Sequence, residues 1–129
     1  MPDDSLTAPF NEHEALAAVK EMNRCSAPGP DGFGPGFYKV AWQTVLPDIM
    51  DFLHAFHCED VQLESINRSH MVLIPKKPGA NTVSAFRPIY LQNCCVKILS
   101  KIITSRFQSQ ISRLVDLDQT GFIKGRSIT

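Results

Sequence analysis

Eleven consecutive residues, Ser26-Ala27-Pro28-Gly29-Pro30-Asp31-Gly32-Phe33-Gly34-Pro35-Gly36, hold three prolines and four glycines. Proline lacks the amide hydrogen that a helix or a sheet ladder needs, and glycine gives up the most backbone freedom on ordering. No regular element runs through this stretch. The 129-residue chain is therefore divided early, and the segments on either side must find each other by packing. Ahead of the break, Asn11 is a good N-cap and Glu14 completes a capping-box pattern. Leu16, Val19 and Met22, with Ala15 and Ala18, form a helical apolar stripe that must stop near Cys25. Residues 1–10 read as a flexible lead-in.

Behind the break, Phe37, Val40, Ala41, Val45 and Leu46 pattern a second helical region. Pro47 is expected to kink it or to open a new helix. Ile49, Met50, Phe52, Leu53 and Phe56 continue an apolar face, and residues 59–67 read as a connection. Met71-Val72-Leu73-Ile74 and Phe86-Arg87-Pro88-Ile89-Tyr90-Leu91 are short strand-like runs around a Pro78-Gly79-Ala80-Asn81 turn, which predicts an antiparallel hairpin. Pro75 and Pro88 cannot donate to a ladder, so the strands are short or lie at an edge. The longest helix is expected from about Asn93 to Val115. Val96, Leu99, Ile102, Ile103, Phe107, Ile111 and Leu114 form its stripe, with Lys97, Lys101 and Arg113 solvated beside it. The pattern predicts an α+β chain, mainly helical with one β-hairpin, followed by a turn-rich tail from Asp116.

Charge is distributed unevenly. Residues 1–65 carry three basic and eleven acidic side chains, and residues 66–129 carry ten basic and two acidic. The halves are thus −8 and +8 although the total is zero. Either the second half meets a polyanion or the halves attract each other. The N-terminus has no apolar segment of a secretory signal, and no apolar run approaches the roughly 20 residues of a membrane span. Cys25, Cys58, Cys94 and Cys95 include no Cys-x-x-Cys pair and read as free thiols of a reducing, intracellular compartment, cytoplasmic or nuclear.

Four segments stand in a telling order: Ala27-Pro28-Gly29-Pro30-Asp31-Gly32-Phe33, Leu73-Ile74-Pro75-Lys76, Phe86-Arg87-Pro88-Ile89, and Gln119-Thr120-Gly121-Phe122-Ile123-Lys124-Gly125-Arg126-Ser127. Phe37-Tyr38, Trp42, Asn67 and the Lys97–Lys101 helix link them. From about Leu6 to the end, the set closely resembles the reverse transcriptases of non-LTR retrotransposons, the long interspersed type common in plant genomes. The resemblance implies RNA-templated DNA synthesis from deoxynucleoside triphosphates with Mg2+, on an RNA/DNA template-primer. It implies a right-hand polymerase fold of which residues 11–129 build the fingers and the start of the palm.

The resemblance also assigns roles. Lys76 and Arg87 face the phosphates of the incoming nucleotide, where fixed cations offset developing charge. Arg87 is the stronger of the two because a guanidinium binds phosphate oxygens bidentately. Lys77 is the alternative to Lys76, since neighbours on a strand point to opposite faces. Lys97, Lys101, Gln119, Gly121, Phe122, Gly125 and Arg126 are the nucleic-acid contacts. Tyr90 departs from the family, which usually has serine there. The metal-binding aspartates of the family come from later palm segments. Asp116 and Asp118 read as linker carboxylates, and His54, His57 and Cys58 lack a second ligand pair, so no metal or catalytic residue is assigned. The chain alone is expected to be inactive and prone to self-association through apolar faces that lack cover. The alternative is a non-catalytic nucleic-acid-binding or protein-interaction module derived from such an element.

Overall fold

The computed structural model describes residues 4–127; residues 1–3 and 128–129, the ends of the lead-in and the tail, lie outside the described part. The first helix, α1 (Glu12–Glu21), begins with the expected capping box: Glu14 N donates to Asn11 Oδ1 at 2.9 Å, and Asn11 N donates to Glu14 Oε2 at 3.2 Å. Ala15, Ala18 and Val19 form its buried stripe. The helix ends at Glu21 rather than near Cys25, because Asn23 competes locally. Its side-chain oxygen accepts from Cys25 N at 2.9 Å, a turn-forming bond that diverts the backbone.

Pro35 sits in the first turn of α2 (Pro35–Val40), where its missing N–H costs nothing. The chain bends at Ala41 and continues as α3 (Trp42–His57). The break therefore falls at Ala41, and Pro47 lies inside α3 without ending it. Trp42, Ile49 and Leu53 are buried on one face of α3, so the core holds the helix together across the proline. Pro47 itself is exposed, as is Gln43, whose carbonyl loses the proline's bond and can be met by water. The C-terminus of α3 is closed by two backbone bonds, Glu59 N to Phe56 O and Asp60 N to Ala55 O. This places Glu59 in the left-handed region, φ 57°, a position where glycine is usual.

One turn of helix, α4 (Leu63–Ile66), leads to the hairpin of β1 (Ser69–Pro75) and β2 (Phe86–Gln92). A 3-10 turn at Val83–Ala85 precedes β2. The strands pair antiparallel from Ser69 opposite Gln92 to Pro75 opposite Phe86. Beyond them Lys76 N donates to Ala85 O, which marks that pair as a bonded rung. Rungs alternate, so Pro75 opposite Phe86 and Pro88 opposite Leu73 fall at non-bonded rungs, where neither strand needs their N–H.

The last helix is α5 (Cys94–Leu114). Its buried residues are Cys94, Ile98, Leu99 and Ile102, so the buried face is centred on Ile98, which the expected stripe omits. The C-terminal part of that stripe is open: Phe107 is 47% and Leu114 68% exposed. The core comprises Phe10, α1, α2, α3 and the first half of α5, and the hairpin contributes no residue to it. Phe10 is a core member, so the end of the lead-in is packed rather than loose.

Candidate nucleotide and nucleic-acid interface

Antiparallel register decides which hairpin side chains share a face. Arg87 stands opposite Ile74, and alternation adds Val72 and Ile89 to that face. Lys76, two residues beyond Ile74, falls on the same side, and Lys77 on the other. Tyr90 pairs with Met71 on the opposite face, so it does not crowd Arg87. Both faces are exposed, as Met71, Val72, Leu73, Ile74, Ile89 and Tyr90 show. The two expected phosphate ligands differ in state. Lys76 Nζ donates to Ser84 O at 2.8 Å, tying its ammonium to the hairpin loop. The Arg87 side chain is exposed and makes no hydrogen bond or ion pair among the described residues.

The hairpin is set against the helices by the Pro-Gly loop. A Cβ on Gly29 would lie 2.4 Å from both Asn93 N and the Gln92 carbonyl carbon, so only glycine lets the two backbones meet. Asn93 then joins three segments. Its Oδ1 accepts from Asp31 N at 3.0 Å, and its Nδ2 donates to Ile66 O at 3.0 Å. Lys97 Nζ reaches Ala27 O at 3.3 Å, binding the loop to the first turn of α5. This loop was legible as a turn; its role as the seat of the β2–α5 junction was not.

The tail folds back on α5. Gln108 grips it from both ends of its amide: Nε2 donates to Phe122 O at 2.9 Å, and Oε1 accepts from Lys124 N at 3.2 Å. Ile123 is buried between these two contacts. Arg126 closes the loop by donating to Asp116 O at 2.5 Å and Gln119 O at 2.8 Å. Gln119 donates to Gly121 O at 3.4 Å, and Gly125 adopts φ 86°, which a side chain would resist. The structure thus gathers Lys101, Phe122 and Arg126 along one groove of about 490 Å³ together with Lys124. Lys97, one helical turn from Lys101, and the hairpin do not line that groove. Lys101 is not simply solvated, because it pairs with Glu21 at 3.3 Å.

Arg106 was missed by sequence reasoning, and it is the most heavily bonded cation. Its Nε and Nη2 donate to the Glu14 carboxylate at 2.7 and 2.8 Å. Its remaining donors take the carbonyls of Ala8 at 2.6 Å, Pro9 at 3.1 Å and Leu6 at 3.3 Å. The guanidinium lies 4.6 Å from the centre of the Phe10 ring. Glu14 is held below the usual carboxylate range, chiefly by the bond from Arg106, and Arg106 is raised in turn. The available signal was position: Arg106 falls three and four residues after Ile103 and Ile102, on the apolar side of α5, where a charge needs a partner. With Glu21–Lys101, this pair joins the acidic half to the basic half.

Carboxylates and soft ligands do not converge. Among the described residues no group of three His, Cys, Asp or Glu side chains is placed to hold a metal ion. Asp116 Oδ1 accepts from Asp118 N at 3.2 Å, a local turn-forming bond. His57 Nε2 is hydrogen-bonded to Thr7 O at 2.9 Å. All four cysteines are free, and burial pushes the Cys94 thiol up to about 11. No helix of the described residues is long and apolar enough to cross a membrane.

No protein-family model matches the chain. It is 30% identical over 126 residues, 97% of its length, to the Transposon TX1 uncharacterized 149 kDa protein of Xenopus laevis. It is 30% identical over 105 residues, 81% of its length, to the Retrovirus-related Pol polyprotein from type-2 retrotransposable element R2DM of Drosophila melanogaster. The chain spans about 10% of the length of each of these curated relatives. These similarities support an origin in a retrotransposon protein.

Proposed function

We propose that this chain is the nucleotide-side and template-side portion of a non-LTR retrotransposon reverse transcriptase, of the long interspersed type. In this reading it builds the fingers and the first edge of the palm of a right-hand polymerase. The observation that carries the reading is Arg87: an unpaired guanidinium on a ribbon braced by two prolines, on the side where alternation also puts Lys76. A planar fork of donors binds two phosphate oxygens at once, and Lys76 adds a second positive charge beside it. The similarity to a Pol polyprotein supports the same assignment.

The substrates are deoxynucleoside triphosphates and an RNA/DNA template-primer. Mg2+ would neutralise triphosphate charge and activate the primer hydroxyl. In this reading the carboxylates that would hold it belong to other parts of the working polymerase. Calorimetric titration of the purified chain with dTTP tests the phosphate site. Arg87→Ala should weaken binding at least tenfold, and Tyr90→Ser should not. Equal affinity of Arg87→Ala and the parent would overturn the role of Arg87. Template-directed nucleotide incorporation above a heat-killed control would overturn the assignment of the carboxylates elsewhere.

A further inference from the structure

Phe122 is 100% exposed and has φ 63°. A bulky residue rarely adopts this conformation, and apolar rings rarely stand wholly in water. Its neighbours explain how it is held there. Ile123 is buried, and the Gln108 amide pins the backbone on both sides of it, so the chain cannot turn the ring inward without releasing both contacts. Phe122 borders the groove between α5 and the tail. Lys101 and Lys124 line the same groove, and Thr104 and Gln108 add polar groups. Glu21 stands on its rim and pairs with Lys101 at 3.3 Å.

We propose that Phe122 is a stacking platform for one unpaired base of a single-stranded nucleic acid whose phosphates run past Lys124 and Lys101. The proposal rests on the reading that the chain binds nucleic acid, and it deepens that reading by naming the form bound. An exposed aromatic face flanked by cations suits a splayed base and its backbone. A duplex offers no free base face to such a ring. A protein partner fits less well, because the groove presents a single aromatic among charged and hydroxyl groups. Arg126 lines the same groove and also has a structural role. It is the clasp that shapes the loop, with its donors on Asp116 O and Gln119 O.

The test is fluorescence anisotropy of the full chain with a labelled 12-nucleotide single strand and with the matching duplex, at several salt concentrations. A second single strand carries 2-aminopurine, whose emission falls on stacking. Phe122→Ala should weaken single-strand binding roughly ten- to a hundredfold and abolish the 2-aminopurine quenching, with the salt slope unchanged. Phe122→Trp should retain both, which separates stacking from damage to the loop. Lys124→Ala should reduce the salt slope by about 1. Binding that is strong yet indifferent to Phe122→Ala, or equally weakened for duplex and single strand, would overturn the platform and leave the broader reading standing. Absence of binding to either form would overturn both, and capture of a protein in place of nucleic acid would do the same.

Discussion

Asn93 shows how one side chain positions a functional element. It is buried, and its amide satisfies Asp31 N and Ile66 O, which belong to segments 62 and 27 residues away. Asn93→Ala should lower stability by about 2–3 kcal/mol, because two polar groups lose their partners near the core. The measurement is the urea midpoint, which should fall with an unchanged slope, while the Asp31 amide exchanges faster with solvent. Glu14 is a second case. Its folded carboxyl titrates below its ordinary value near 4.5, held down first by the Arg106 bond. A depressed carboxylate contributes stability above the unfolded value, and that contribution disappears as pH falls through the folded value. The parent chain should therefore lose melting temperature as pH drops below about 4.5. Glu14→Gln keeps the capping box, so it should melt lower at pH 7 and show a flatter acid profile; parallel profiles would refute the linkage.

At the level of elements, local chemistry was readable and long-range pairing was not. The capping box of α1, the hairpin and the long α5 follow from Asn11 and Glu14, from two β-rich runs around Pro78-Gly79, and from apolar spacing. Boundaries failed where one local bond decided them, as at Asn23. Pro47 opens no new helix, because the buried face of α3 carries the helix across it. The Schellman closure of α3 left no trace in the sequence, since Glu59 occupies a position where glycine would have announced the turn. The centring of α5 on Ile98 depends on where α1 lies against it, which periodicity alone cannot say. Of the candidate site, the hairpin that carries Arg87 and Lys76 was legible, while their phosphate role stands as a proposal from motif order. The tethering of Lys76, the clasp of Arg126 and the Gln108 grip on Phe122 are bonds between distant or irregular segments, and no spacing rule encodes them.

Across the whole molecule, the opposite charges of the two halves are partly used internally, through Glu14–Arg106 and Glu21–Lys101. In the basic half, Arg68, Lys77, Arg87 and Lys124 have no side-chain partner among the described residues and remain available for a polyanion. The Arg106 clamp has a further consequence, which concerns the order of events in folding. Its bonds to Glu14, Ala8 and Leu6 connect residues 92, 98 and 100 positions apart. Closing so long a loop costs entropy before any contact repays it, whereas the helices and the hairpin need only neighbours. The clamp should therefore form after the rate-limiting barrier. Arg106→Met keeps an unbranched side chain of similar length while removing the guanidinium, its hydrogen bonds and its contact with the Phe10 ring. It should raise the unfolding rate by roughly 30- to 100-fold, corresponding to about 2–3 kcal/mol, and leave the folding rate nearly unchanged. Stopped-flow chevrons of the two proteins would show it as a shift of the unfolding arm alone. A shift of the folding arm would mean that the two ends of the described chain find each other first, and that the helices between them condense around that early embrace.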